Sequence, residues 1–322
     1  MKINLTSFLF IVIMMVGIII TLSSNSILMM WVGLELTMIS FVPMMTMEGI
    51  SGGESSMKYF VVQSVSSCML ILGMLFLLMN MSNDFLMLMS LCIKVGLAPF
   101  HGWVLSMVDG LNYLLLFVLL SIMKISPIFI LTFTNFNFYL MVLITLIVGS
   151  ISGLNQNSIR KLMSYSSIYN LGFIFSSIYF NSIWSLYLFM YTIILMMVIF
   201  LMNNYNLNYL NQFMLNNFNF KEKMVLWVCM LSLGGMPPML GFLNKIIIFE
   251  LMMMNDEYII LMVMIFSSLL IMFFYIRISL ISIMTFSLMM KWNFFLKMYS
   301  SYFFMIVNFL MFPLFILIKP IL

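Results

Sequence analysis

Four ionisable side chains stand in stretches that are otherwise almost wholly apolar. They are Glu35 in Trp31-Val32-Gly33-Leu34-Glu35-Leu36, Lys94 in Leu91-Cys92-Ile93-Lys94-Val95, Lys124 in Ser121-Ile122-Met123-Lys124-Ile125-Ser126-Pro127, and Lys245 after Gly241-Phe242-Leu243-Asn244. An ionisable group near the middle of a bilayer costs roughly 2.5–3.5 kcal/mol on insertion scales, so such groups are rare and usually serve transport or proton relay. Glu35 is the carboxylate at depth, and Lys94 is its expected partner. With the carboxylate close the ammonium is favoured; with it distant, burial favours the neutral amine, so the pair can act as a switch. The other reading is a static buried pair that fixes helix packing. Lys124 lies near the centre of its segment, too deep for its stem to reach the interface, and Lys245 follows a Gly-Gly-Met-Pro-Pro stretch whose broken backbone would admit water; both are expected relay residues. His101, the single histidine, follows Ala98-Pro99-Phe100; an imidazole titrating near ~6.5 suits proton shuttling, and a hydrogen-bonded packing role is equally open. Arg277 stays charged across the working pH range and is expected to snorkel or to hold a lipid phosphate.

The elements that position these residues must be membrane helices. With 65% hydrophobic and 7% charged residues in 322, the chain has too little polar surface to cover a water-soluble globule. Apolar runs of helical length follow one another without the period-2 alternation of an outer-membrane barrel. The sequence predicts about eleven spans, at about 3–22, 26–47, 57–80, 85–108, 111–132, 138–155, 161–180, 183–202, 224–253, 258–285 and 299–318. Two are irregular: Gly96 and Pro99 interrupt the fourth, and Gly234, Gly235, Pro237 and Pro238 the ninth. Proline removes a helical hydrogen bond, and carbonyls freed at membrane depth are tolerated only where they line a cavity or are buried in protein. The breaks fall at equivalent positions if the chain is two five-helix units, about 1–132 and about 138–285, followed by a helix at about 299–318. An odd unit length inverts the second unit, a recurring transporter plan. The expected fold is therefore all-α and polytopic, one membrane domain over 1–322 with an inverted repeat and two discontinuous helices.

Loop charge orients the chain. With alternating spans, the N-terminal side collects Lys2, Lys58, Arg160, Lys161, Lys221, Lys223, Lys291 and Lys297, and the other side only Lys319. That bias places the N-terminus on the matrix side, or in the cytoplasm of a bacterium. A single alanine, Ala98, against 41 Met and 33 Phe indicates AT-rich codons and a code with an extra Met codon, as in a small mitochondrial genome; the start runs into the first span without a presequence. The longest loop, about 203–223, is expected at the surface, open to a partner subunit. Cys68, Cys92 and Cys229 are isolated within spans and read as buried small hydrophobes. Neither a dinucleotide fingerprint, a P-loop nor a metal-ligand cluster occurs, so redox chemistry is not expected of this chain alone.

Three blocks carry a family resemblance: Ile93-Lys94-Val95-Gly96-Leu97-Ala98-Pro99-Phe100-His101, the stretch from Gly153-Leu154-Asn155-Gln156 to Tyr165-Ser166-Ser167-Ile168, and Leu233-Gly234-Gly235-Met236-Pro237-Pro238-Met239-Leu240-Gly241-Phe242. In this order they resemble the subunit 2 family of mitochondrial NADH:ubiquinone oxidoreductase, respiratory complex I, in a shortened animal form with an arthropod-like AT bias. The resemblance implies an antiporter-like, proton-translocating subunit of the inner-membrane arm. Glu35, Lys94, Lys124 and Lys245 would then lie on its mid-membrane hydrophilic axis. NADH, FMN, iron–sulfur clusters and ubiquinone would sit in other subunits. Neighbouring membrane-arm subunits and lipids are the implied partners, and nucleic acid is not. A stand-alone cation/proton antiporter and a structural scaffold are the other classes. Relatives often carry a histidine where this chain has Tyr169-Asn170, so a relay there must use water or Asn and Tyr hydrogen bonds.

Overall fold

A computed structural model describes residues 5–79, 84–134, 138–178, 180, 183–215, 220–284 and 308. Their regular elements are all helices apart from one isolated bridge, Ser158 with Tyr209, and six segments, including Leu5–Ser23, Ile50–Phe76 and Tyr258–Ile281, are long and apolar enough to cross a membrane. Helices are what such a sequence can form, because in lipid each backbone polar group must be satisfied within the segment. Buried hydroxyls follow the same rule by bonding back one turn: Thr21 donates to Ile18 O at 2.7 Å, Thr37 to Leu34 O at 2.7 Å and Ser166 to Met163 O at 2.8 Å. Large apolar side chains such as Phe8, Ile19, Phe189, Phe266 and Phe273 point outward, as befits a multi-pass membrane protein. The expected span at 299–318, and Lys2, Lys291, Lys297 and Lys319 of the charge tally, lie outside the described residues.

The chain forms two compact units, Met1–Met141 and Val142–Leu322. The first holds α1 (Leu5–Ser23), α2 (Ile27–Thr46), α3 (Ile50–Leu78), α4 (Asp84–Val95), α5 (Gly102–Val108), α6 (Tyr113–Leu120) and α7 (Ile122–Leu131). α1 and α2 cross where Gly17 meets Gly33: a Cβ on Gly33 would collide with Thr21 Cγ2 and lie 2.7 Å from Gly17 O. Small residues at a crossing let two backbones approach closely where no hydrophobic drive exists between helices in lipid. That crossing fixes the height of Glu35, just beyond Gly33 on α2. α7 packs against α1, α2 and α4, and the Glu48 carboxylate accepts from Asn112 N at 2.7 Å at the start of α6, where an anion complements the helix dipole.

The second unit holds all but the first three residues of α8 (Tyr139–Leu154), then α9 (Ile159–Ser177), α10 (Ile183–Tyr205), the short α11 (Gln212–Leu215), α12 (Phe220–Gly234), α13 (Leu240–Met254) and α14 (Tyr258–Met284). α9 is its central rod, buried along nearly its whole length and packed by α10 and α13. A Cβ on Gly149 would lie 2.8 Å from Tyr169 N, so α8 rests directly on the α9 backbone.

Four expectations change. The fifth segment is not one rod but two, α6 and α7, parted at Ser121. α3 begins at Ile50, so Lys58 lies on a helix rather than in a loop. Arg277 neither snorkels nor waits for a lipid: its Nη1 donates to Leu154 O at 3.0 Å, capping the last carbonyl of α8. Cys68 is exposed, unlike Cys92 and Cys229. The part of the 203–223 loop around 208–210 is more than a plain surface connection, since Leu210 N donates to Asn157 O at 3.1 Å and Ile159 N to Asn208 O at 3.0 Å, tying it to the start of α9.

Candidate functional site

Lys94 occupies the last turn of α4 and Glu35 the middle of α2, and the fold brings Lys94 Nζ to 3.5 Å from Glu35 Oε1. Their side chains are 4% and 18% exposed. α4 stops here because Gly96 turns into the left-handed region, φ +78°. The N–H groups of Gly96 and Leu97 both return to Cys92 O, at 3.0 and 3.1 Å, a Schellman-type stop. Side chains of neighbouring helices take the remaining carbonyls: Trp103 Nε1 donates to Ile93 O at 3.1 Å, and Gln63 Nε2 to Lys94 O at 3.3 Å. With the helix end satisfied by neutral donors, the Lys94 ammonium is left for Glu35. Tyr59, one turn before Gln63 on α3, packs edge-on to Phe41 at 5.3 Å and against Trp103 at 6.0 Å.

Lys124 is buried on the first turn of α7. Ser121 parts the two helices with φ −121° and ψ −72°; its hydroxyl takes Phe117 O at 2.5 Å, and Lys124 N bonds Ser121 O at 3.2 Å in a tightened turn. Among the described residues the Lys124 ammonium has no hydrogen-bonding or charged partner. α7 nevertheless packs on both α2 and α4, the helices that carry Glu35 and Lys94. His101 stands just before α5, partly exposed.

Lys245 lies on α13, beyond the break after α12. The stop has the same form as the first: Gly235 has φ +81°, and the N–H groups of Gly235 and Met236 return to Leu231 O at 3.0 and 3.1 Å. In each break a proline, Pro99 or Pro238, follows three residues after the glycine and enters through a cis bond. The difference lies in who takes the freed carbonyls. At the second break Lys245 folds back and its Nζ donates to Gly234 O at 2.5 Å, so the ammonium sits on the negative end of the α12 dipole. It also lies 5.4 Å from the centroid of the Tyr169 ring, within cation–π range. Gly241 lets α13 start against α12, since a Cβ there would strike Ser232 O. Beside the ammonium is a small cavity lined by Asn170, Tyr187, Tyr191, Ser232 and Asn244 together with Ile194, Leu233 and Gly241; Tyr187 donates to Asn170 Oδ1 at 2.9 Å.

The arrangement is three buried amines, each at an interrupted helix: one on a carboxylate, one on a backbone carbonyl and one without a direct partner among the described residues. Residues 24–85 and 78–271 match the family described as NADH:quinone oxidoreductase/Mrp antiporter, TM. The chain belongs to this family. It is 34% identical over 286 residues to NADH-ubiquinone oxidoreductase chain 2 of Anopheles gambiae, covering 84% of each chain. Its fold is similar to a chain of respiratory complex I from Thermus thermophilus, with a TM-score of 0.86 and 19% identity over 98% of this chain and 79% of that one. It is also similar to a chain of the Mrp complex from Dietzia sp. DQ12-45-1b, with a TM-score of 0.76 and 15% identity over 84% of this chain and 59% of that one.

Several residues at these sites carry no signal in the sequence. Gln63 and Trp103 read as ordinary interior residues until the α4 stop shows which carbonyls need donors. Tyr187 and Tyr191 come from α10 and Asn244 from α13, and only the packing around α9 brings them to one cavity. The stretch Tyr169-Asn170 was readable as polar in a helix that otherwise resembles core, and that is the one early sign of this cluster.

Proposed function

We propose that this chain is the chain 2 subunit of an NADH:ubiquinone oxidoreductase and that it moves protons across the mitochondrial inner membrane as part of the membrane arm. Family membership, 34% identity to a chain 2 relative over most of both chains and the fold shared with a complex I chain support the assignment. The observation that carries the mechanism is the Glu35–Lys94 pair at the end of an interrupted helix. A carboxylate that approaches or leaves a buried amine changes which protonation state is favoured. Moving one charge against the membrane potential takes about 2.3 kcal/mol per 100 mV. That is less than the roughly 3–5 kcal/mol at stake in parting a buried ion pair.

In this reading Glu35, Lys94, Lys124 and Lys245 carry the protons, His101 is a further relay group, and the glycines and prolines of the two breaks expose polar backbone to water. The chain is one membrane domain of about eleven spans, two inverted five-helix units and a closing helix, with the N-terminus in the matrix. The matching stops at Gly96 and Gly235 support the repeat. NADH, flavin, iron–sulfur clusters and quinone are bound by other subunits, and the neighbours are further antiporter-like membrane-arm subunits and lipid.

The test is proton uptake per NADH oxidised in the assembled complex carrying Glu35→Gln: a reduced ratio with quinone reduction retained supports the reading, and an unchanged ratio leaves Glu35 a structural partner in a scaffold. The fold shared with an Mrp chain favours a second reading, a stand-alone cation/proton antiporter. That reading requires transport by the isolated chain in vesicles, which the subunit reading does not expect.

A further inference from the structure

We infer that Gln63 is a positioning residue for the Glu35–Lys94 pair: its side-chain amide holds Lys94 O and so keeps the end of α4 from drawing the Lys94 ammonium off Glu35. This rests on the proton-transfer reading above. A helix leaves its last four carbonyls without partners inside the helix. At the end of α4 the backbone meets two of them, since Cys92 O accepts from Gly96 N and Leu97 N, and Ile93 O accepts from Gly96 N at 3.2 Å. Trp103 Nε1 adds a second bond to Ile93 O at 3.1 Å. Among the described residues no backbone N–H reaches Lys94 O; its donor is Gln63 Nε2, at 3.3 Å. Gln63 is 5% exposed and carries the one side-chain amide on α3.

The competing donor is the Lys94 ammonium itself. A lysine in the last turn of a helix can bond the final carbonyls, and the negative end of the helix dipole attracts it there. The second break shows that outcome: among the described residues no backbone N–H reaches Gly234 O, and Lys245 Nζ takes it. Glu35 holds Lys94 loosely, at 3.5 Å against about 2.7–2.9 Å for a well-made charge-assisted bond, so an open carbonyl would compete with it. A neutral amide fills that carbonyl without adding a second charge beside the pair. The amide is itself held in place, because Tyr59, one turn earlier on α3, packs against Phe41 of α2 and Trp103 of α5.

The test compares Gln63→Met, which keeps the length of the side chain and removes its donor, with Lys94→Met and with the double variant in the intact complex. The expected result is a proton-per-electron ratio in Gln63→Met that falls toward that of Lys94→Met with quinone reduction retained, and no further fall in the double variant. A density map of Gln63→Met should show Lys94 Nζ turned from Glu35 to the carbonyls that end α4. A further fall in the double variant overturns the inference, because a residue acting through Lys94 has nothing to add once Lys94 is gone. Lys94 Nζ still on Glu35 in the map overturns it too, as does a normal ratio in Gln63→Met while that of Lys94→Met is low; all three leave the proposed function standing. A normal ratio in Lys94→Met overturns that function itself. If Gln63→Met does not assemble, assembly of the double variant supports the inference, and failure of both makes Gln63 a residue of the fold alone and overturns it.

Discussion

Replacing Gly235 by alanine should displace Lys245 without touching it. Gly235 has φ +81°, and a Cβ there would lie 2.8 Å from Lys245 Nζ and 2.9 Å from its Cδ and Cε. The left-handed conformation costs a non-glycine residue roughly 1–2 kcal/mol. The clash is relieved most easily by the flexible lysine, which then gives up its 2.5 Å bond to Gly234 O; a hydrogen bond to a charged group contributes about 1.5–3 kcal/mol. The overlap has to exceed that contribution to move the ammonium, and each 1.4 kcal/mol of excess reduces the Gly234-bound arrangement about tenfold. Gly234→Ala is the control, because a Cβ there meets its nearest neighbours at 3.6 Å in ordinary contact, and alanine is the better helix former by about 0.5–1 kcal/mol. The assay is proton uptake per NADH in vesicles bearing the assembled complex, with quinone reduction measured alongside in uncoupled membranes. Gly235→Ala should lower the ratio and Gly234→Ala should not. Identical behaviour of the two would refute the placement of Lys245 on the α12 end.

Two further outcomes follow from the first unit. Gly33→Ala forces α1 from α2 at a crossing where Gly17 O already lies 2.7 Å from the added Cβ, so it should lose about 1–3 kcal/mol, read as a lower thermal midpoint or reduced subunit abundance; Gly53→Ala, with nothing within 4 Å, should match the unsubstituted protein. Glu35→Gln should cost more stability in the presence of Lys94 than beside Lys94→Met, because the single change leaves a buried ammonium unpaired; additive losses in a double-mutant cycle of thermal midpoints would show that the two groups do not interact.

What could be read from the sequence divides along a physical line. Gly96, Pro99, Gly235 and Pro238 announce their breaks, because a missing N–H and a left-handed glycine are properties of the residues themselves. The break at Ser121 has no such mark. Pro127 lies downstream of it, and the interruption is completed by a serine hydroxyl taking Phe117 O, a choice any membrane serine could make. Lys94 could be matched to Glu35 because two opposite charges in lipid have few other partners. Lys245 could not be matched to Gly234 O, since every residue has a carbonyl and only the stop after α12 leaves this one free. Arg277 departs from expectation for the same reason: its ligand is a helix end, the last carbonyl of α8, rather than the membrane surface.

Whether buried amines in this chain carry protons is decided most directly by the number of protons taken up per NADH oxidised in a complex whose Lys245 is replaced by methionine, a side chain of similar length without a proton to give. A lower number with quinone reduction and assembly intact is expected. An unchanged number would contradict proton transfer through Lys245.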